Sequence, residues 1–497
     1  MSPVTAALLF PFAGAILLLA IPENRTDIVR RVAAIFTFFP LAIAVTLFFL
    51  YDHARGGYQW LQKIPWIPSI GVHFQVGLDG INMVLLLLHA ICGFTGVLIS
   101  YRIQERVKEY YIFYLLLIGG VSGVFVSLDL FFFYLFYEMA VIPMFPLIGI
   151  WGSGDKLYAT MKLTLYLTAG AVLALVGLLL VYLISGIWSF DLIELQRYLS
   201  QNPIPAHIQT FLFPFLLVGF GVIAPMWPFH SWSPIGHAAA PSAVSMLHAG
   251  VLMKLGSYAI LRIGIQLLPE GAYAWMPLVA GLCTMNIIYG GFVAMAQKDV
   301  KFIIGYSSSS HMGYVLLGLA CLNPVSLNGA VMLMFAHGIM TSLAFATVGH
   351  IYDQTHTRVI SEWGGLSKRV PFIASMFAIA ALASSGLPGF GNFVAELLVF
   401  FGSWDVYRWP SLAAVFGIVI TAFYMLRAVR TGFFGPMNPR WVHLEDAHTP
   451  FERLPYVILV AALVLVGCWP GPLLNMIGGS IETILDHLAP LRSVARL

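Results

Sequence analysis

Charge is what this sequence has least of. Only 9% of its 497 residues are Asp, Glu, Lys or Arg, against about 25% in soluble domains. With 60% hydrophobic residues, too little polar surface remains to face water, so a free-standing soluble domain is excluded. Cysteine is scarce too. Cys92, Cys283, Cys321 and Cys468 lie far apart inside apolar stretches, and no C-x-x-C occurs. That excludes a disulfide framework or a cysteine metal cluster and leaves core-filling thiols. The net charge of +3 is too small to argue for nucleic acid. No Walker loop is present, and no G-x-G-x-x-G follows a strand, so no nucleotide, flavin or iron–sulfur site is expected in this chain. The alternating ten-residue strands of an outer-membrane barrel are missing as well. No basic residue precedes the first apolar run, "TAALLFPFAGAILLLAI", which is therefore expected to be a retained span and not a signal peptide.

What is present is a series of apolar runs of about 20 residues, the length that crosses a hydrocarbon layer roughly 30 Å thick. Fourteen spans are predicted, at 5–21, 31–51, 77–100, 110–128, 130–151, 162–186, 208–228, 241–263, 274–296, 300–321, 325–352, 371–402, 409–432 and 454–476. The fold class is thus an all-α polytopic membrane protein. With the N-terminus outside, sixteen of the 25 Lys and Arg fall at inner loops and seven at outer ones, so both termini are expected outside. Lys301 counts with the inner set and Arg262 with the outer set. Residues 477–497 read either as an amphipathic helix on the membrane surface or as a frayed terminus.

A few charges sit inside the spans. An ionised side chain at a helix centre costs about 2.5–3.5 kcal/mol on insertion scales, so each one needs a partner, a cavity or a function. Glu138 is the only charge between Leu130 and Trp151. Pro143 and Pro146 follow it and deprive the carbonyls of Met139 and Ile142 of helical donors. Such carbonyls attract water, which a proton-carrying carboxyl also needs. The competing reading is a structural ion pair with a lysine on a neighbouring span. Lys254 lies deep in span eight, and a lysine that loses and regains its proton is a usable relay element. Lys162 opens span six, where snorkelling is the rival reading. In span ten, Ser307, His311 and Tyr314 share one helix face, as a wet stripe or as interhelical hydrogen bonds. His248 and His337 add titratable groups in spans eight and eleven. His350, Asp353 and His356 have metal-like spacing but no fourth ligand, so no metal is expected. Pro388, among Gly386, Gly389 and Gly391, interrupts span twelve and frees the carbonyl of Ser384, with Glu396 just beyond. Broken helices at membrane depth mark ion pathways in transporters.

Span seven breaks at Pro225 and Pro228. Spans 4–8 and 9–13 are each five helices with the fourth broken, and five is odd, so the two sets enter from opposite sides as inverted repeats. The predicted divisions are 1–109 for flanking helices, 110–263 for the first repeat, 274–436 for the second, and 437–497 for span fourteen and the tail.

The stretches "FYEMAVIPMFPLIGIWG", "PMWPFHSWSPIGHAAAPSAVSMLHAGVLMKLGSYAILRI", "DVKFIIGYSSSSHMGYVLLGL" and "SGLPGFGNFVAELLVFFGSW" resemble the chain M family, antiporter-like subunits of respiratory NADH–quinone oxidoreductase (complex I). The resemblance covers nearly the whole chain. It implies two facing inverted five-helix bundles and a non-redox, proton-translocating subunit of a bacterial inner-membrane translocase. NADH, FMN, iron–sulfur clusters and quinone then belong to partner subunits. It implies chain L and chain N types as neighbours, a lipid bilayer around them and no nucleic acid. By motif, Glu138 looks like the span-five glutamate that pairs with a lysine, Lys254 like the central lysine, and Glu396 like the terminal acid. His311 and His337 look like the histidines lining the axis between them. One departure stands out. Chain M typically carries a lysine before the first proline of span seven, and here Ile223 occupies that place. His248 and Lys162 are the two candidates to supply the missing cation. An antiporter or membrane-bound hydrogenase subunit, or a spacer without ion transport, are the alternative functions.

Overall fold

The computed structural model describes residues 2–494 and is nearly all helical, with helices over each of the fourteen predicted spans. Helices α1 (Pro3–Ala20) and α2 (Thr26–Leu50) lead into a two-stranded antiparallel hairpin, β1 (Gln59–Ile67) and β2 (Val72–Leu78). Helices α3 (Gly80–Ile99) and α4 (Val107–Val126) follow, then the broken pair α5 (Leu130–Val141) and α6 (Met144–Trp151). After α7 (Lys156–Ser185) comes a short helix in the loop, α8 (Leu192–Gln201), capped by the Asp191 carboxylate. The second broken pair is α9 (Ala206–Ile223) and α10 (Trp232–Ala239). Helices α11 (Ser242–Leu247) and α12 (Met253–Ala259) form one rod with π-helical turns at His248–Leu252 and Ile260–Ile265. Then come α13 (Pro269–Ala296), α14 (Val300–Ala320), α15 (Pro324–Thr355) and the one-turn α16 (Ile360–Trp363). The third broken pair is α17 (Pro371–Ser384) and α18 (Gly391–Trp404). Helices α19 (Arg408–Phe433), α20 (Pro450–Cys468) and α21 (Gly471–Val494) complete the described chain.

Among the described residues, twelve helical segments are long and apolar enough to cross a membrane. The other two predicted spans are the serine-rich α14 and the interrupted α17–α18 pair. Their polar residues and their break are what lower them as apolar spans. The rod at Ser242–Ile265 and α15 are the two whose apolar windows are wholly enclosed by the rest of the protein. Charge placed on them therefore has protein, not lipid, on every side.

The hairpin is absent from the sequence-based reading, although "QWLQKIPWI" and "VHFQVGL" alternate weakly. Span fourteen is shorter than expected, ending at Cys468, because Pro470 stops it and starts α21. The tail is a helix packed on α3 and α15 by buried Leu473, Met476, Ile477, Ile481, Ile484 and Leu485. Residues 495–497 of that tail lie outside the described residues. The Gly80 amide donates to Ser480 Oγ at 2.9 Å, and a Cβ on Gly80 would lie 1.7 Å from the Met476 carbonyl oxygen. The hairpin, the start of α3 and α21 thus lie on one face of the bundle, called here the hairpin face.

Candidate functional site

The four ionisable residues expected at depth on α12, α14, α15 and α18 meet in one row. Lys254 Nζ donates to His337 Nδ1 at 2.8 Å and to the Ala249 carbonyl at 2.5 Å. The π turn just before α12 brings that carbonyl, five residues back, alongside the amine, and such turns recur at functional sites. The His337 and His311 rings stack with centroids 5.0 Å apart. His311 Nε2 lies 3.4 Å from Glu396 Oε1 and 3.2 Å from the Ser384 carbonyl, the one that Pro388 leaves without a helical donor. His311 Nδ1 faces the Ser307 carbonyl at 2.9 Å. Each of the four side chains is at most 1% exposed. Lys254, His337, His311 and Glu396 thereby form a buried row of groups that each hold or release a proton.

The row is under-bonded. Among the described residues, His337 Nε2, both Glu396 oxygens, both Asn392 amide atoms, Ser308 Oγ and Ser384 Oγ have no hydrogen-bond partner, the His311–Glu396 contact apart. A buried polar atom left unpaired costs about 1–3 kcal/mol. Several clustered along one line make a place where water is favoured.

Residues that sequence reasoning missed extend the row. His237, at the end of α10, stacks edge-on to His248 at 4.2 Å and bonds Ser233 Oγ at 3.0 Å. It lies within electrostatic reach of Lys254 and His337. Lys301, assigned to an inner loop from sequence, is 1% exposed and donates to the Ala240 carbonyl at 2.8 Å in the α10–α11 break. A cavity of about 110 Å³ touches it, lined also by Arg102, Tyr110, Ser242 and Asp353. It lies on the face opposite the hairpin. Asn286 on α13 bridges the α9–α10 break, accepting from the Trp227 amide at 2.5 Å and donating to the Pro225 carbonyl at 2.8 Å. The only sequence signal for it was a lone amide in an apolar run.

Other expected residues stand apart from the row. Glu138 is half-buried, beside the Tyr134 hydroxyl one turn earlier. Among the described residues no cation lies within 4.0 Å of it, so the expected ion pair with a lysine is absent. Ile223 is fully buried against Gly256. Neither stand-in cation reaches Glu138. His248 stacks on Trp232 with centroids 5.3 Å apart, and neither ring nitrogen has a hydrogen-bond partner among the described residues. The Lys162 amine sits over the Tyr158 and Tyr166 rings at 5.6 and 5.9 Å. Tertiary placement, invisible in one sequence, decides both. The Ile142 carbonyl, expected to lose its donor to Pro146, accepts from the Phe145 amide at 3.2 Å instead. Of the two readings for the α14 face, Tyr314 takes the interhelical bond, donating to the Ala414 carbonyl on α19 at 3.0 Å. Ser307 Oγ accepts from Tyr424 at 2.7 Å. His350 Nε2 bonds the Glu445 carbonyl at 3.0 Å, while Asp353 is 3.9 Å from Arg102, so these side chains do not converge. No group of three metal-ligating side chains occurs among the described residues.

Comparison with known proteins agrees with this architecture. A family model described as NADH:quinone oxidoreductase/Mrp antiporter, transmembrane, matches residues 127–421. An NADH-quinone oxidoreductase subunit M from Rhodobacter capsulatus is 35% identical over 488 residues, covering 96% of this chain and 95% of that protein. An NAD(P)H-quinone oxidoreductase chain 4 from Gloeobacter violaceus is 34% identical over 486 residues, covering 94% and 89%. Among solved structures, a chain of respiratory complex I from Thermus thermophilus superposes with TM-score 0.89 at 28% identity, covering 98% and 99%. A chain of the Mrp complex from Dietzia shares the fold, with TM-score 0.85 at 20% identity and 98% coverage of both. With a family model spanning more than half of its length and relatives of this identity along nearly all of it, the chain belongs to the NADH:quinone oxidoreductase/Mrp antiporter family, in its subunit M (chain 4) branch.

Proposed function

We propose that this chain is a proton-translocating, non-redox membrane-arm subunit of an NADH–quinone oxidoreductase. The observation that carries the reading is the buried row Lys254–His337–His311–Glu396, three links of 2.8 Å, stacked rings and 3.4 Å. Protons enter from the face opposite the hairpin, through the cavity at Lys301, and pass the α10–α11 break near His237 to Lys254. They then cross the two histidines, and Glu396 releases them to the hairpin face. Water in the under-bonded region bridges the gaps longer than one hydrogen bond, as proton transfer requires.

Moving one charge against 100 mV takes about 2.3 kcal/mol, a factor of about 50 in an equilibrium constant. That is the size of a charge rearrangement within one buried pair. Electron transfer occurs elsewhere, in partner subunits that hold FMN, iron–sulfur clusters and quinone. Chains of the L and N types flank this one, in a bacterial inner membrane with both termini periplasmic. Residues 110–263 and 274–436 act as two inverted half-channels joined at the His337–His311 contact.

A second reading rests on a specific observation. Among the described residues Glu138 has no cation within 4.0 Å, and Ile223, where the family resemblance expects a lysine, is buried against Gly256. This favours a chain whose first half transmits or seals without Glu138 as a proton-loading site. A cation/proton antiporter or membrane-bound hydrogenase subunit is the remaining alternative, and the chains that co-purify from the native membrane distinguish it.

The test is Lys254→Met in the assembled enzyme, reconstituted in vesicles. The proton-to-electron ratio is expected to fall while electron transfer to quinone persists. An unchanged ratio defeats the conduit reading. An unchanged ratio in Glu138→Gln alone, with a lowered one in Lys254→Met, selects the second reading for the first half.

A further inference from the structure

One buried charge takes no part in the row. Arg262, assigned to the outer side from sequence, is 2% exposed in the π turn after α12. Its Nη2 lies 2.5 Å from Asp79 Oδ2, and its guanidinium carbon sits 5.4 Å from the Tyr58 ring centre and 5.6 Å from that of Tyr258. Its Nε has no hydrogen-bond partner among the described residues. A cavity of about 110 Å³ on the hairpin face, lined by Tyr58, Asp79, Gln196, Arg262, Gln266 and Ser480, comes down onto the guanidinium. Lys254 is eight residues back on the same rod, about 12 Å along a helix axis. Between them stand Tyr258, which donates to the Phe125 carbonyl at 3.2 Å, and Ser257, whose buried hydroxyl has no partner among the described residues. The first half therefore has a polar trail leading from Lys254 straight towards the hairpin face, a short cut that would bypass His337, His311 and Glu396.

We propose that Arg262 is the electrostatic seal of that short cut, a selectivity residue that keeps protons on the route to Glu396. The inference rests on the conduit reading above. A guanidinium is charged at every working pH and has no proton to relay. Fixed arginines repel protons and cations in other membrane pores. The Asp79 carboxylate does not cancel it fully, because Asp79 Oδ1 also accepts from the Ile81 and Asn82 amides at the positive end of α3. At an effective dielectric constant of about 20, a unit charge about 10 Å away slows a proton's passage by about tenfold.

The experiment measures passive proton leak, without turnover, in vesicles containing the assembled complex and a trapped pH dye. Arg262→Met should raise the leak by about tenfold or more, the barrier worked out above. Arg262→Lys should stay tight. Asp79→Asn keeps the helix cap and leaves the guanidinium uncompensated, so its leak should be at or below that of the unmodified complex. Equal leaks in Arg262→Met and Asp79→Asn, whether high or low, overturn the seal. So does failure of both variants to assemble, which makes the pair a structural staple. If only Arg262→Met fails to assemble, Asp79→Asn decides, and a raised leak there overturns the proposal. The leak is independent of the proton-to-electron ratio in Lys254→Met. A tight Arg262→Met complex with a lowered ratio in Lys254→Met removes the seal and leaves the conduit standing.

Discussion

Replacing His337 separates a relay from a mere hydrogen bond. Lys254 Nζ has two acceptors, His337 Nδ1 at 2.8 Å and the Ala249 carbonyl at 2.5 Å. His337→Phe keeps a ring to stack on His311 but removes one acceptor from a fully buried amine, and a buried donor left unpaired costs about 1–3 kcal/mol. It also removes the only titratable group between Lys254 and His311 in the row. A positioned proton-transfer group is worth about 10²–10⁴ in rate, so transfer along the row should slow by at least about a hundredfold. His337→Asn is the informative companion, since its amide oxygen takes the place of Nδ1 and restores the bond to Lys254 without carrying a proton. Proton-to-electron ratio and NADH:quinone turnover are measured together in reconstituted enzyme. Both variants should lower the ratio. A normal ratio in His337→Asn refutes the relay and leaves His337 as a structural acceptor.

Three further substitutions probe the surroundings. Gly386→Ala puts a Cβ 2.9 Å from Glu396 Oε2 at a residue with φ of +67°. Backbone strain of about 1–2 kcal/mol and a displaced carboxylate should together lower the ratio, with the assembled complex still isolated. His248→Phe touches no hydrogen bond of the row and should change the ratio little, at a stability cost below about 1.5 kcal/mol in thermal unfolding. A large drop would put His248 on the path. Gly80→Ala drives a Cβ into the Met476 carbonyl, so α21 should detach from α3, with a cost above about 3 kcal/mol and new protease cleavage within residues 471–494. Intact resistance to protease would show that α21 is held elsewhere.

Much of this architecture was legible because the membrane makes polarity expensive. Most predicted spans announced themselves as apolar runs, and Lys254 and Glu396 stood out because a charge at depth needs a reason. The prolines at 225, 228 and 388 located the broken helices, and the freed Ser384 carbonyl could be named before its partner His311 was known. Partnerships were not legible. That Lys254 meets His337 and not a carboxylate depends on how α12 packs against α15. His237 and Asn286 are unremarkable in sequence and acquire roles only where α10 and α13 approach the row. Glu138 shows the converse. Its depth and its prolines suggest a proton-carrying acid and the family resemblance a lysine partner, yet among the described residues no cation lies within 4.0 Å of it, and Ile223 stands where the resemblance expects a lysine. The hairpin lies outside the apolar runs, where the alternation of a short strand is a faint signal, and α21 was legible as a possible amphipathic helix but not as one packed on α3 and α15.

Density for ordered water in the assembled complex, at a resolution that places single molecules, tests the central claim most directly. The account predicts water bonded to the Glu396 carboxylate and Asn392, and further water linking the Lys301 cavity to the neighbourhood of His237 and Lys254. Dry, close-packed surroundings at Glu396, with no water between Lys301 and Lys254, would contradict it.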